Sequence, residues 1–586
     1  MIDATSPFVL LDDAREDSPS PGRLFRDPIE IIETREPGGV AVALDRLREA
    51  QRDGLHVAGF LSYEAGHALE RKLEPLSYVP VAEEPPLLWF GLFEDFEQVP
   101  DAGKLLPSPD GAWASAPKPS IQQVAYEAAL ARVKAHIEAG DIYQANLTFA
   151  AEVQLYGGPL AAYAAIRRRA RAGHGALLFT GQHWLLSFSP ELFFTLKDGR
   201  ITTRPMKGTA KRAQDDAATI EELRSDPKQR AENLMIVDLL RNDLSRVSKP
   251  GTVKVPALFT VETYPTVHQM TSTVTSEIDQ GVDAVYVIRT IFPCGSITGA
   301  PKIRAQEIIL QIEQRPRGAY TGSIGSIAPD GEAAFNVAIR TLTISAGDEN
   351  RATMGLGSGI VADSRAGDEW RECLAKGAFV ATEQGRFDLI ETMRFDPHDG
   401  LIDLERHLAR MKASAEALGF RFDRHSVRND LQAATFRLRE PRKIRLLISA
   451  SGVVAIEGRP LPAFSEEPVE VSIAPLPIDS KDFRLAHKTT SRGFYDHARE
   501  QSGRAEILFE DRDGFLTEGS FTHIFVERHG RLLTPPLSRG LLPGILRARL
   551  IEEGEAEEAD LTIRDLASGF YIGNAVRGLT AAILSQ

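Results

Sequence analysis

The chain has 586 residues, too many for one ordinary core, so two or three domains are expected. A formal net charge of −14 leaves no basic excess with which to neutralise a nucleic-acid backbone, and two cysteines, Cys294 and Cys373, give no disulfide framework and fit a reducing cytosol. The start lacks the basic and apolar stretches of a signal peptide, and no apolar run approaches the roughly 20 residues that cross a bilayer, which describes a soluble, acidic, cytoplasmic protein without a membrane partner.

In chain order, residues 97–120 are rich in Pro, Gly, Ala and Ser and read as an exposed connection. A helix is expected from Tyr126 to Gly140, because Tyr126, Leu130, Val133 and Ile137 fall on one stripe and Gly140 can cap its end. A strand should follow at about Ile142–Val153, carrying Gln144. Lys207, in Thr203-Arg204-Pro205-Met206-Lys207-Gly208-Thr209, should sit in a tight turn that fixes the direction of its amine. A lysine so held becomes a usable nucleophile when its neighbours lower its pKa. Glycines 355, 357 and 359 do not spell a dinucleotide fingerprint, since Ile360 stands where a third glycine would be. They suit a backbone that approaches a carboxylate closely. Glu369, Glu372 and Lys376 follow at i, i+3 and i+7 on one helix face, where a surface Glu372–Lys376 pair is the plain alternative to a metal site. A second boundary falls near Gln384-Gly385-Arg386. Beyond it, Asp513-Gly514 suits a hairpin turn and Leu542-Pro543-Gly544 a helix start. The acidic run from Glu552 to Glu558 reads as a solvated face or loop.

Ser189-Pro190-Glu191, the lysine segment, the run from Arg230 to Asp243 and Gly295-Ser296-Ile297-Thr298-Gly299-Ala300-Pro301-Lys302 together resemble the chorismate-utilising enzymes. Arg317-Gly318-Ala319-Tyr320-Thr321-Gly322, Ala338-Ile339-Arg340-Thr341 and Gly357-Ser358-Gly359-Ile360-Val361 continue the likeness in order. The resemblance implies that Glu232 and Glu372, with Glu369 nearby, bind Mg²⁺. It further implies that Tyr320 and Arg340 hold the pyruvyl carboxylate of chorismate, and that Thr298, Gly357, Gly359 and Lys376 contribute to the substrate site. His268 matches a family histidine near the ring, although a core histidine fits almost as well. Members that add water carry a lysine where this chain has Gln144, which points to ammonia as the nucleophile. Anthranilate synthase component I usually has a small residue where this chain has Lys207. The lysine therefore points to the aminodeoxychorismate synthase component I branch, in which the lysine attacks C2, Glu191 acts as general acid and ammonia enters at C4. Neither cysteine sits in a glutaminase-like elbow, so a separate glutamine amidotransferase subunit is expected to supply ammonia. The N-terminal region resembles a short form of the family's leading segment. Relatives place a serine after the Leu-Leu pair, where Asp12 and Asp13 stand here, which argues against feedback by tryptophan.

From about residue 387, Glu391-Thr392-Met393-Arg394, His407-Leu408-Ala409-Arg410 and His487-Lys488-Thr489-Thr490 resemble fold-type IV pyridoxal-phosphate enzymes, among them aminodeoxychorismate lyase. By that likeness Lys488 carries pyridoxal phosphate, Glu518 faces its pyridine nitrogen, Arg410 binds its phosphate, and the N–H groups of Ile545 and Leu546 complete the phosphate site. The family's leading strands are missing, and Ala575 replaces a hydroxyl that relatives often place near the phosphate.

The expected fold is α+β. It comprises a short N-terminal region (1–115), a chorismate-binding domain of large antiparallel sheets with flanking helices (116–384), and a smaller fold-type IV α/β domain (387–586). The expected function is two-step synthesis of 4-aminobenzoate from chorismate. The alternatives are anthranilate synthase component I joined to a class IV aminotransferase, or a C-terminal domain that only scaffolds.

Overall fold

The strand Leu88–Phe93 is buried at every position, whereas Arg442–Ile448 buries alternate residues from Ile444 onward. A strand covered on both faces can be apolar throughout, while one with a polar face must alternate. These two strands belong to different parts of the molecule. The computed structural model describes the chain except residues 1, 3, 18, 213–214, 264–266, 383, 463–466 and 586 and the side chains of Lys211 and Val267.

One unit holds residues 1–107, 116–155 and 163–382. Its first sheet runs, neighbour to neighbour, through Gly299–Ala300, Gln144–Tyr156, Arg351–Ile360, Thr341–Ser345, His183–Ser189, His174–Phe179, Phe8–Asp12, Gly22–Arg26 and Glu97–Val99. Its second runs from Met206–Lys211 through Val267–Glu277, Arg200–Arg204, Leu192–Lys197, Ala333–Asn336, Ser323–Ile327, His56–Leu61 and Leu88–Phe93 to Glu30–Thr34. Neighbours along both paths pair antiparallel, as expected of this fold class. Val9, Phe25, Ala176 and Leu178 of the first sheet meet Ala58, Phe60, Trp89 and Phe93 of the second in one apolar cluster. The helices Pro37–Arg52, Pro227–Ser245 and Ala284–Ile291 cover the second sheet through Leu44, Leu47, Ile236, Leu240 and Ile288.

The predicted helix spans Gln123–Glu138, with Gly140 at φ +78° just beyond it, and the predicted strand is Gln144–Tyr156. Residues 97–120 correct the sequence reading: Val99, Ala102, Leu106, Trp113 and Ala114 are buried, so this stretch is not an exposed connection. Pro and Gly there shape tight turns between core contacts rather than a free linker.

The other unit comprises residues 108–115, 156–162 and 383–586. A four-stranded antiparallel sheet is built around Leu389–Asp396 and Arg442–Ile448. A mixed eight-stranded sheet has Val469–Pro475 parallel to both Glu506–Glu510 and Gly578–Leu584. Trp113 packs in the same cluster as Leu389, Met393, Leu408 and Phe483. Gly514, at φ +84°, turns the chain between Glu506–Glu510 and Leu516–Gly519. The acidic run closes the helix Ile545–Glu552 and forms the strand Ala556–Glu558, where Glu558 pairs with Arg547. Among the described residues no helix is long and apolar enough to cross a membrane.

Candidate active sites

Lys207 lies on the irregular strand Met206–Lys211 rather than in a tight turn. The register with Val267–Glu277 shifts between Met206 and Thr209, and Gly208 takes φ +103°. A bulge of this kind re-aims a side chain while keeping it on a sheet. Asn233 fixes the spot by donating to the Lys207 carbonyl at 3.1 Å and accepting from Ser272 at 2.6 Å. The lysine's Nζ stands 3.2 Å from Glu232 Oε2 on the helix Pro227–Ser245.

Gly359 brings two of the expected site residues together. A Cβ on it would lie 3.1 Å from both Gln144 Nε2 and Lys207 Nζ. Gln144 is buried, and its Oε1 has no hydrogen-bond partner. Such an acceptor is costly unless a ligand or water satisfies it. Gly357 serves a different need, since a Cβ there would meet the Leu147 carbonyl at 2.7 Å. Its own carbonyl accepts from Lys376 Nζ at 3.0 Å.

Glu191 follows the fully buried strand His183–Ser189 and is itself buried. Burial pushes its carboxyl up to about 7, against the Ser296 hydroxyl and the charges of Lys207 and Lys376, which work to lower it. Ser296 Oγ donates to Glu191 Oε1 at 2.7 Å. Nothing in the sequence around Ser296 signals this role; the contact joins positions far apart in the chain, and only the fold makes it visible. Thr298 spends its hydroxyl on the Gly295 carbonyl, 3.0 Å away. Tyr320 requires Gly355 beside it, because a Cβ there would lie 1.9 Å from its ring. Arg340 has φ +52° and stacks over Phe379 at 5.7 Å. His268 is fully buried with Nδ1 on Thr263 and Nε2 on Asp216, both at 3.0 Å, so neither ring nitrogen is left for a substrate.

The three expected metal carboxylates do not gather into one cluster. Among the described residues no group of three or more His, Cys, Asp or Glu side chains is placed to hold a metal. Glu232 is paired with Lys207, Glu372 with Lys376 at 2.8 Å, and Glu369 accepts from Ser364 at 2.7 Å. Burial works to raise the Glu372 carboxyl, yet Lys376, with Lys207 and Lys228, holds it below its ordinary value. Lysines thus occupy the charge that a cation would take. Glu232 and Glu372 both have Lys207 as a charged neighbour.

Asp12, which stands where relatives have a serine, is gripped by Arg167 through Nε at 2.5 Å and Nη2 at 3.0 Å and accepts from Tyr163 at 3.0 Å.

In the second unit, Lys488 opens on a cavity of about 440 Å³. Its carbonyl accepts from Ile390 N at 3.0 Å, which ties the lysine segment to the strand Leu389–Asp396. Burial, then Arg492 and Arg410, push its amine down to about 7. Glu518 also lines the cavity; burial lifts its carboxyl to about 7, while Tyr495 donates to its Oε1. Arg410 grips Glu391 with Nε at 2.8 Å and Nη2 at 2.7 Å, and donates from Nη1 to the Pro543 carbonyl at 2.9 Å. Burial works to raise Glu391, but Arg410 and His407 hold it at about 2. Ile545 and Leu546 begin the helix Ile545–Glu552 on the cavity wall, where the first helical N–H groups lack internal partners. Gly544 admits the His523 ring, which a Cβ would meet at 2.3 Å. Asn574 organises the turn at Ala575, accepting from Val576 N and Arg577 N at 3.0 Å each. A buried lysine, a protonatable carboxyl, an arginine and a free helix start around one cavity fit pyridoxal phosphate.

Residues 388–583 match the amino-transferase class IV family, which implies pyridoxal phosphate. An aminodeoxychorismate synthase component 1 from Klebsiella aerogenes is 42% identical over 265 residues, covering 45% of this chain and 58% of that protein. The matched region thus spans little more than half of that relative. A 2-amino-4-deoxychorismate synthase from Streptomyces globisporus is 40% identical over 290 residues, covering 49% of this chain and 57% of that one. The crystal structure of anthranilate synthase component I from Streptococcus pneumoniae shares the fold, with a TM-score of 0.53 and 24% identity over 65% of this chain and 93% of that one. Residues 7–382 match the chorismate binding enzymes, and the chain belongs to that family.

Proposed function

We propose that the chain makes 4-aminobenzoate from chorismate in two steps in a cytoplasmic setting: amination at C4, then elimination of pyruvate. The observation that carries the reading is Lys207 Nζ beside Gln144 and Gly359, with a protonatable Glu191 within its field. Lys207 attacks C2 while Glu191 protonates the departing C4 hydroxyl. Ammonia then adds at C4 and expels the lysine; the unpartnered Gln144 Oε1 can accept one of its hydrogens. Tyr320, Arg340, Thr298, Gly357 and Lys376 surround the substrate's carboxylates in this reading, and His268 supports the strand behind them. Glu232 and Glu372, with Glu369 behind, would hold Mg²⁺, which offsets carboxylate charge on the substrate. A carboxylate given to Mg²⁺ is withdrawn from its lysine, so the metal and the Lys207–Glu232 pair compete.

Ammonia comes from a separate glutaminase subunit. A glutaminase needs a thiolate. Both cysteines are buried, burial and then Glu191 push the Cys294 thiol up to about 12, and burial raises Cys373 as well.

In the second unit, Lys488 carries the cofactor and its Nζ moves the proton that starts pyruvate elimination. Pyridoxal phosphate, when bound, supplies the electron sink for that step. Glu518 holds a proton toward the pyridine nitrogen, and Arg410, Ile545 and Leu546 surround the phosphate.

Product analysis tests the whole reading. Chorismate, Mg²⁺ and ammonium should give 4-amino-4-deoxychorismate, and added pyridoxal phosphate should give 4-aminobenzoate and pyruvate. Anthranilate or 2-amino-4-deoxychorismate as the product would overturn C4 amination. Turnover with glutamine alone would overturn the separate glutaminase.

A further inference from the structure

Arg317 is a buried cation that the amination chemistry above does not use. Its guanidinium lies against Glu313, donating from Nε at 3.0 Å and from Nη2 at 2.7 Å, so its charge is met inside the core. An ion pair that served stability alone would be complete there. Yet Nη2 also donates to the Asn146 carbonyl at 2.6 Å, and Nη1 to the Ile297 carbonyl at 3.0 Å. Each carbonyl neighbours a proposed site residue. Asn146 is two residues from Gln144 on the strand Gln144–Tyr156, and Ile297 directly follows Ser296, the donor to Glu191.

The backbone joins these two segments over a short distance. Gln144 and Ala145 pair with Ala300 and Gly299, and Asn146 N then donates to the Thr298 carbonyl at 2.8 Å. Arg317 adds the next rung, on the side toward Ser296. Its own place is fixed from behind: Glu64 accepts from Arg317 N at 2.6 Å and Gly318 N at 3.1 Å, and the Tyr63 ring lies 4.5 Å from the guanidinium. Glu313 is held in turn by Thr148, through N at 2.7 Å and Oγ1 at 3.0 Å, on the same strand as Gln144. A planar guanidinium serves a carboxylate and two carbonyls at fixed angles, whereas an ammonium has three donors around one point.

We propose that Arg317 is a positioning residue for the amination step, which locks the strand of Gln144 to the loop of Ser296. The group that receives ammonia and the donor to the general acid thereby keep one register. Arg317 acts through Gln144 and Ser296 rather than on the substrate. The proposal rests on the reading of this site as a chorismate-aminating one.

The test uses Arg317→Lys in the full chain, which keeps a charge beside Glu313 and gives up the fork. Ammonium-dependent kcat should fall about tenfold or more while KM for chorismate changes little, because misplaced reacting groups cost rate rather than binding. The pH profile separates positioning from a loosened core. A displaced Ser296 no longer favours ionised Glu191, while Lys207 and Lys376, the charges that face it, are unaltered. The high-pH limb of kcat/KM should therefore move up, as in Ser296→Ala, and should move no further in the double variant, since both changes remove one contact. Leu44→Ala, a core truncation in the helix Pro37–Arg52, should leave the limb in place. A limb unmoved by Arg317→Lys, or shifts that add in the double variant, overturns the positioning role. Should Arg317→Lys not fold, Glu64→Gln, which turns a donor toward the N–H groups of Arg317 and Gly318, is read by the same two outcomes. A wild-type chain that does not consume chorismate with Mg²⁺ and ammonium overturns the underlying reading instead.

Discussion

Ser296 and Glu191 are 105 residues apart in the chain, yet the serine hydroxyl meets the buried carboxyl at 2.7 Å. A donor to a carboxylate favours its ionised form, so Ser296 opposes the burial that keeps Glu191 protonated near neutrality. A general acid works only while protonated, and chorismate turnover should therefore fall as pH rises through about 7. Ser296→Ala removes a lowering contact and should move that limb to higher pH. The kcat/KM profile for chorismate measures this, and a limb that stays in place or moves acid would remove Glu191 from the role.

Lys207→Ala should leave chorismate binding largely intact while C4 amination drops about a hundredfold or more, as expected when a nucleophile is deleted. Intact-mass analysis after rapid quench supplies the check. Wild-type chain starved of ammonia should carry a chorismate-derived adduct that the variant lacks. Amination at the wild-type rate in the variant would leave no place for covalent chemistry.

Gly359→Ala should disturb the same step without unfolding the chain. The new methyl would press on Lys207 Nζ and Gln144 Nε2 at 3.1 Å, and both are ends of flexible side chains that yield by a few tenths of an ångström. Misplacing a reacting group by that order costs about tenfold to a hundredfold in rate. Thermal unfolding should change little while kcat falls; a large loss of stability with unchanged kcat per folded molecule would contradict this.

Lys488 should react with pyridoxal phosphate along a pH curve centred near 7, because burial and then Arg492 and Arg410 hold its amine there. The neutral amine is the reactive form, so its fraction rises through about 7 and then levels off. Arg492→Gln removes a lowering charge and should shift the midpoint upward, read by stopped-flow absorbance. Lys488→Ala should stop pyruvate release while chorismate consumption continues, with 4-amino-4-deoxychorismate accumulating. Pyruvate released at the wild-type rate by that variant would place the elimination elsewhere.

The sequence made the elements legible where periodicity or turn chemistry acts locally. The helix stripe through Tyr126, Leu130 and Val133 and the turn at Gly514 follow from neighbours in the chain. Lys207, Gly359 and Lys488 could be singled out because their motifs resemble those of known families, and the roles given to them are part of the proposed function. What could not be read was pairing over distance. Nothing in the spacing says that Ser296 reaches Glu191, that Glu391 takes Arg410 and His407, or that Asp216 and Thr263 occupy both nitrogens of His268. The Pro- and Gly-rich stretch around Trp113 misled for the same reason: composition marks turns, but burial is decided by partners far along the chain.

That stretch has a practical consequence. Trp113 belongs to the core built on Leu389, Met393 and Phe483, and Tyr156 sets its ring edge-on, 5.1 Å from His487, the residue next to Lys488. A fragment cut at the boundary that the sequence suggests would therefore lose an aromatic plug and a prop beside Lys488. Each unit draws on separated stretches of the chain, so neither can be exchanged, deleted or grafted by a single splice. Any recombinant dissection has to carry residues 108–115 and 156–162 along with the C-terminal unit.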